Sequence, residues 1–292
     1  MKILLADKFN DAFEARLREL GEVSTSLEEI ADVDVLVVRS KTKVTKDLIA
    51  RARRLGLVIR GGVGLDNVDA AACRERGIQV RNTPAASSVA VAELAMTLML
   101  AAANRVVFAH NEIASGRFPK KDVKRVELGG KTLGLIGAGL IGQAVAARAA
   151  AFGMKVIAYD PFVKRCEAAS LVGSAADLYR AAAVLSLHAP LNDETRGMLG
   201  RAAIVSMKDG VIVVNTARGE LVDEQAMAEA LVSGKVRAYA ADVFHSEPPS
   251  GSPLLSAPNT VFTPHVGAST AENMTRIGDI VVEILSNWGR AG

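Results

Sequence analysis

The sequence predicts an α/β protein made of two doubly wound parallel-sheet domains, and three observations carry that expectation. Short apolar runs alternate with helical stretches along most of the chain, the pattern of strands and crossover helices. One run, Thr132 to Ile136, empties directly into Gly137-Ala138-Gly139-Leu140-Ile141-Gly142, and a helical stretch rich in Ala and Val follows. The chain has 292 residues, half of them hydrophobic, which is enough to fill more than one core.

In the first unit, Ile3 to Leu5, Val33 to Val38, Leu57 to Ile59 and Ile78 to Val80 read as strands, with helices at Asp11 to Leu20 and Thr45 to Arg54. Open α/β sheets bind ligands at the carboxyl ends of their strands, so the residues just past each run matter most. Arg39 follows one strand, with Lys41 and Lys43 beside it, and Arg60 follows the next. Guanidinium forks grip phosphate or carboxylate bidentately. Gly62, Val63 and Gly64, directly after Arg60 and Gly61, form a run whose backbone N–H groups can approach an anion closely. Arg39, Lys41, Arg60, Gly62, Val63 and Gly64 are therefore candidate substrate contacts, suited to a doubly anionic ligand. Each also has a plainer reading, a solvated cation or a tight turn, and the solvated reading fits Arg51, Arg53 and Arg54 better.

Asn82-Thr83-Pro84 closes this unit. The apolar stretch Val89 to Ala103, interrupted by Glu93, is expected as a buried helix too short for a bilayer, serving either a core or a subunit interface.

The second unit opens with the glycine turn, followed by strands at Lys155 to Tyr159, Val184 to Leu187, Val211 to Val214, Arg237 to Ala241 and Thr260 to Phe262. Strand, G-x-G-x-x-G turn and helix in that order form a dinucleotide fingerprint. Gly137 permits the turn, Gly139 removes a side chain that would block a pyrophosphate, and Gly142 lets the helix pack on the strand. Leu140 and Ile141 open the helix whose unpaired N–H groups face the phosphates. Asp160 ends the next strand and is placed to accept the ribose hydroxyls, which favours NAD over NADP because a 2′-phosphate would meet like charge. Its alternative reading is a turn former before Pro161. His188 and Pro190 follow a strand and are expected to line the cofactor cleft, with Thr216 and Asp242 as further contacts toward the nicotinamide.

Three residues beyond later strands complete the candidate chemistry. Arg218 would clamp a substrate carboxylate, His265 would exchange the hydroxyl proton, and Glu247 would orient the imidazole and stabilise its charged form. Singly, each has a bland reading as a surface charge or loop residue; their joint placement on one rim is what singles them out.

Bulk properties narrow the rest. A formal net charge of +3 is too weak and dispersed to indicate a nucleic-acid partner. The two cysteines, Cys73 and Cys166, show neither CxxC nor metal-ligand spacing, so no metal is expected and a reducing compartment is. MKILLAD is too short an apolar start for a secretory leader, so the expected location is cytoplasmic, without a membrane partner.

Taken together, Val38-Arg39-Ser40, RGGVGLDNVD from Arg60 to Asp69, NTP from Asn82, VAVAEL from Val89, LGLIGAGLIG, HAPLNDETRG, VVNTARGELVDE, DVFHSEPP and TPHVGAST resemble the D-isomer-specific 2-hydroxyacid dehydrogenase family. The branch acting on phosphoglycerate is the most similar, and the resemblance spans nearly the whole chain. It implies a flavodoxin-like substrate domain at 1–82 plus 269–292, with a Rossmann NAD domain at 83–268 inserted into it. It implies Arg218, Glu247 and His265 as the catalytic set and closure at two crossovers that excludes water. It also implies a homodimer with the helix near 89–103 in the interface, and NAD-dependent interconversion of 3-phosphoglycerate and 3-phosphohydroxypyruvate in serine synthesis. The alternatives are another enzyme of the family, such as a glyoxylate or hydroxypyruvate reductase, and an NAD-sensing corepressor that acts by binding partners. Many relatives carry a C-terminal regulatory domain that binds serine, whereas this sequence stops at Gly292, so serine feedback through such a domain is not expected. Ser87 and Arg125 depart from the usual Asn and Gly.

Overall fold

The computed structural model of the protein describes residues 1–288, and the chain divides into two compact units. Unit 1 comprises Met1–Ser88 and the stretch from Ala268 onward; unit 2 comprises Val89–Gly267.

Unit 1 runs β1 (Lys2–Leu5), α1 (Asp11–Leu20), β2 (Glu22–Ser24), β3 (Val35–Val38), α2 (Lys46–Arg51), β4 (Leu57–Arg60), α3 (Ala70–Glu75) and β5 (Gln79–Asn82). Its sheet has the order β2-β1-β3-β4-β5 and is parallel throughout. Successive side chains of a strand point to opposite faces, so a strand buried on both sides feeds two cores. Leu4, Leu36, Val38 and Val58 join Ile49, Cys73 and Ala72 from α2 and α3 on one face. Ile3, Val35, Val37, Leu57 and Ile59 face Phe13 and Leu17 of α1 and Ile277, Val281 and Leu285 of the C-terminal helix on the other. Short polar residues start the helices: Asn10 accepts from the Phe13 N–H at 2.8 Å, and Asp69 from the Ala72 N–H at 2.9 Å, each worth about 1 kcal/mol.

The helix α4 (Pro84–Asn104) contains the division between the units. At 21 residues it is longer than the sequence suggested, and by length and composition it is able to cross a membrane. The expectation of a helix too short for a bilayer is corrected: Pro84 fits the first helical turn, so the helix begins before the apolar run does. Its Ala92, Ala95, Met96, Met99 and Ala102 are buried against the sheet of unit 2.

Unit 2 continues with α5 (Val106–Ala114), β6 (Thr132–Ile136), α6 (Leu140–Ala151), β7 (Lys155–Tyr159), β8 (Ser170–Leu171), α7 (Ala175–Ala181), β9 (Val184–Leu187), α8 (Arg201–Ser206), β10 (Val211–Asn215), α9 (Glu224–Ser233), β11 (Val236–Ala241) and β12 (Thr260–Phe262). The sheet order is β12-β11-β10-β9-β6-β7-β8, again all parallel. The winding reverses between β6 and β9, which is where such sheets take their ligands. The helix α10 (Ala271–Trp288) returns the chain to unit 1.

Both sheets are doubly wound and parallel, as the sequence predicts. The edge strands β2 and β8 carry no apolar run, and sequence reading passes over them. An edge strand needs one bonded neighbour and little buried surface.

Candidate active site

In unit 2 every residue singled out for chemistry lies past the carboxyl end of a strand: Gly137 after β6, Asp160 after β7, His188 and Pro190 after β9, Thr216 and Arg218 after β10, Asp242 and Glu247 after β11, and His265 after β12. A parallel sheet sends all these ends to one rim. His265 and Glu247 meet there, with Nδ1 of the imidazole 2.7 Å from Oε2 and 2.9 Å from Oε1 of the carboxylate. The two side chains remain 46% and 40% exposed. A pair so open to water contributes at most about 1 kcal/mol to stability, so its geometry calls for another reason. His265 has φ of +53°, a left-handed conformation that costs an ordinary residue on the order of 1 kcal/mol.

Asp242 pins that conformation. Its buried carboxylate, 1% exposed, accepts from the Thr263 hydroxyl at 2.5 Å and from the N–H groups of Val266 at 2.9 Å and Gly267 at 2.8 Å. The residue expected to meet the nicotinamide side is thus the clamp of the His265 loop. A Cβ on Gly267 would lie 3.0 Å from Oδ2 of Asp242, so the glycine admits the clamp.

Asn215, which no motif singled out, does the same for Arg218. Its side chain is fully buried; Nδ2 donates to the Arg218 carbonyl at 2.8 Å, and Oδ1 accepts from the Ala217 N–H at 3.0 Å. Nη1 of Arg218 donates to the Ala217 carbonyl at 2.6 Å. Gly219 then passes so close to Phe244 that a Cβ would sit 2.0 Å from its carbonyl carbon. The Arg218 and Glu247 loops are thereby locked side by side, and His245 Nε2, 2.8 Å from the Val222 carbonyl, adds a further tie. Glu247 and His265 form one wall of a cavity of about 420 Å³ whose other walls are largely apolar, including Phe244, Pro248, Leu255 and Phe262.

The glycine turn fits a dinucleotide. Gly139 caps α6 without any side-chain hydrogen bond, and a Cβ placed there meets nothing within 4 Å; open space faces uncapped helix N–H groups. Gly137, with φ of +94°, packs on the backbone of His188 at 2.7 Å from its Cβ position. Gly142 packs against the Gly137 carbonyl, 2.2 Å from a Cβ, so it is the turn itself, not only the strand, that requires it. Leu140, half exposed, and Ile141 form the first turn of the helix. Asp160 accepts from the Ala138 N–H at 2.9 Å through Oδ2 and from the Phe162 and Val163 N–H groups through Oδ1. Its turn-forming role is therefore realised, and the remaining lone pairs of the carboxylate can still accept ribose hydroxyls. Thr216 is buried with its hydroxyl unpartnered among the described residues, a polar atom suited to a ligand. His188 sits 2.9 Å through Nε2 from the Ser186 hydroxyl, and desolvation pushes its imidazole down to about 4, although part of the residue surface stays open. Pro190 is exposed on the same rim.

In unit 1, Val38 and Arg60 are partners across β3 and β4, which sets Arg39 and Arg60 on adjacent strand ends. Buried Asp7 wires the Arg39 loop, accepting from the N–H of Arg39 at 2.5 Å and of Thr42 at 3.2 Å. Asn67 donates to the carbonyls of Arg39 and Thr42, both at 2.7 Å. The Arg60 guanidinium lies across Gly62, whose φ is +146° and where a Cβ would overlap Nη1. The Val63 carbonyl accepts from Asn82 Nδ2 at 2.6 Å, fixing the Gly62-Val63-Gly64 bend, while Lys41 is exposed beside Arg39. Asp7 and Asn67 carried a weak signal: each is a short polar residue just past a strand or glycine turn.

A doubly wound sheet whose first strand opens into this turn defines unit 2 as a dinucleotide-binding domain. Residues 96–267 match the D-isomer specific 2-hydroxyacid dehydrogenase, NAD binding domain, and the chain belongs to that family. It is 48% identical to a D-3-phosphoglycerate dehydrogenase of Methanocaldococcus jannaschii over 97% of this chain, and spans only 56% of that protein's length. It is 51% identical to a hydroxypyruvate reductase of Thermotoga maritima, over 87% of this chain and 84% of that one. Among solved structures, D-lactate dehydrogenase from Aquifex aeolicus complexed with NAD and lactic acid has a TM-score of 0.88 at 29% identity. That match covers 100% of this chain and 96% of the other.

Proposed function

We propose that the protein is an NAD-dependent dehydrogenase interconverting 3-phosphoglycerate and 3-phosphohydroxypyruvate, a step of serine synthesis. The observation that carries the reading is the paired Glu247 and His265 on the rim that bears the dinucleotide turn. With Nδ1 engaged by Glu247, Nε2 of His265 takes the substrate hydroxyl proton during oxidation and returns it during reduction. Glu247 fixes the ring orientation and favours the charged form that follows proton uptake. Arg218 holds the substrate carboxylate and polarises the C2 oxygen. The Gly137 to Gly142 turn receives the pyrophosphate, Asp160 the ribose, and Thr216, His188 and Pro190 the face toward the nicotinamide; Asp242 acts by holding the His265 loop. NAD, when bound, carries the hydride.

Arg39, Lys41 and Arg60, with the Gly62-Val63-Gly64 bend, are assigned to the substrate's anionic group. In an NADH oxidation assay, Arg60→Ala is expected to lower kcat/KM for 3-phosphohydroxypyruvate about 10- to 100-fold and for unphosphorylated hydroxypyruvate no more than about threefold. Equal losses on both substrates refute the phosphate role. A second reading, hydroxypyruvate reductase, is favoured by the Thermotoga maritima relative, which this chain matches over most of its length. Under that reading the wild type turns over hydroxypyruvate more efficiently, with the same proton chemistry.

The reading includes a cytoplasmic homodimer, independent of nucleic acid and membrane. Most apolar side chains of α4 are buried, but α5 beside it exposes Val106 and Ile113, 53% and 52% accessible. These residues are seven apart and so share one face of the helix. Sedimentation of the native protein at twice the monomer mass is the expected result, and a monomer would remove the dimer from the reading.

A further inference from the structure

A second cavity, of about 450 Å³, opens at the amino-terminal end of the unit 2 sheet. Its walls combine the end of α4, the start of α5, Lys124, and the residues that precede or open β10, β11 and β12. The charged side chains lining it are Arg105, Lys124 and Arg237, all cations, and no Asp or Glu is among the lining residues. Among the described residues none of the three is in salt-bridge contact with a carboxylate.

Neutral oxygens hold the two arginines in place instead, while Lys124 is exposed. Nη1 of Arg105 donates to the Asp122 carbonyl at 3.0 Å, and Nη2 of Arg237 donates to the Lys124 carbonyl at 2.5 Å. The Arg105 guanidinium also stacks on the Phe108 ring, 4.2 Å from its centroid. A guanidinium carries five N–H donors, so these contacts fix each fork while leaving most of its capacity. Arg105 is moreover the joint between α4 and α5, with φ of +53°, an uncommon conformation for so large a residue. Asn259, at φ of +57°, lines the same cavity. Of the three non-glycine residues with positive φ among those described, two are here and the third is His265. Cations gathered in a concave wall reinforce one another's potential. A solvated surface would let the arginines spread apart, whereas here ring stacking and a carbonyl tie hold Arg105 and a carbonyl tie holds Arg237.

We propose that this cavity binds a small anion of at least two negative charges, a phosphate ester or a polycarboxylate, through Arg105, Arg237 and Lys124. The site is separate from the candidate chemistry, since it lies at the opposite strand ends. It is also distinct from the Val106 and Ile113 face of α5: Val107, Phe108 and Asn111, which line the cavity, fall on the other side of that helix.

The test is calorimetric titration of the full chain with inorganic phosphate and, separately, with citrate. It is run in an Arg60→Ala background to weaken the proposed substrate cluster, and only the affinity lost on changing the cavity's arginines is assigned to the cavity. At least one anion is expected to bind, and adding Arg105→Gln and Arg237→Gln together is expected to weaken it by about tenfold or more. Restoring charge as Arg237→Lys should recover part of the affinity, and unchanged NADH binding by fluorescence shows that unit 2 is folded. Binding of phosphate alone identifies a phosphate ester as the ligand class, and binding of citrate alone a polycarboxylate. Absence of binding by both anions, or a change of less than about twofold in the double variant, overturns the proposal.

Discussion

His265 and Glu247 illustrate how little of a site's purpose is visible in stability. The pair is half exposed, so water screens most of its attraction, yet the histidine holds a left-handed backbone to make it. Glu247→Gln keeps an oxygen acceptor for Nδ1 and removes the charge. Steady-state kinetics are expected to show kcat falling about 10- to 100-fold, while the unfolding free energy stays within about 1 kcal/mol of wild type. A kcat within twofold of wild type would remove Glu247 from the mechanism. Asp242 and Asn215 act through their neighbours: both are buried, both bond to loop backbone, and each fixes the loop of a candidate catalytic residue, His265 or Arg218.

At the scale of elements, the glycine turn separates two requirements that share one motif. A Cβ at Gly139 points into open space, whereas one at Gly142 meets the Gly137 carbonyl at 2.2 Å. Gly139→Ala is therefore expected to fold with nearly wild-type stability and to lose NADH affinity by about tenfold or more, read by fluorescence titration. Gly142→Ala is expected to lose on the order of 2 kcal/mol of stability, because the turn must move to admit it. If both variants lose affinity and stability alike, the division of roles is wrong. Legibility in the sequence followed burial. Interior strands such as Val35–Val38 and Val211–Asn215 announce themselves as apolar runs, and the edge strands β5 and β12 still show short ones, while the edge strands β2 and β8 show none. The helix α4 was underestimated because its first turn is small and polar, Pro84-Ala85-Ala86-Ser87-Ser88, although a proline suits that position;.

For the molecule as a whole, one buried imidazole links the fold to acidity. His188 is kept neutral by burial, its pKa pushed down to about 4 from an ordinary 6.5. Between those values the unfolded chain binds a proton that the native state refuses, so stability is intact above pH 6.5 and declines as the pH falls toward 4. Urea midpoints measured across that range are expected to fall by an amount on the order of 1–2 kcal/mol from this group. His188→Gln should flatten the decline, whatever its effect at pH 7. An unchanged slope would mean that carboxylates alone govern the acid limb.

The sequence by itself determined the parallel α/β class, the strand that opens into the glycine turn, and the family to which the chain belongs. These depend on local periodicity and on residue types at fixed short spacing, which a linear string preserves. It also marked Arg218, Glu247 and His265, because each follows a strand and strand ends of a parallel sheet converge. Only the tertiary structure decided which polar residues hold those side chains in place. Asp242 serves the His265 loop and Asp7 the Arg39 loop through hydrogen bonds across 21 to 35 positions of chain, and the cations Arg105 and Arg237 share one cavity from distant elements. Burial and through-space bonding set those roles, and neither has a period or a spacing for a sequence to display.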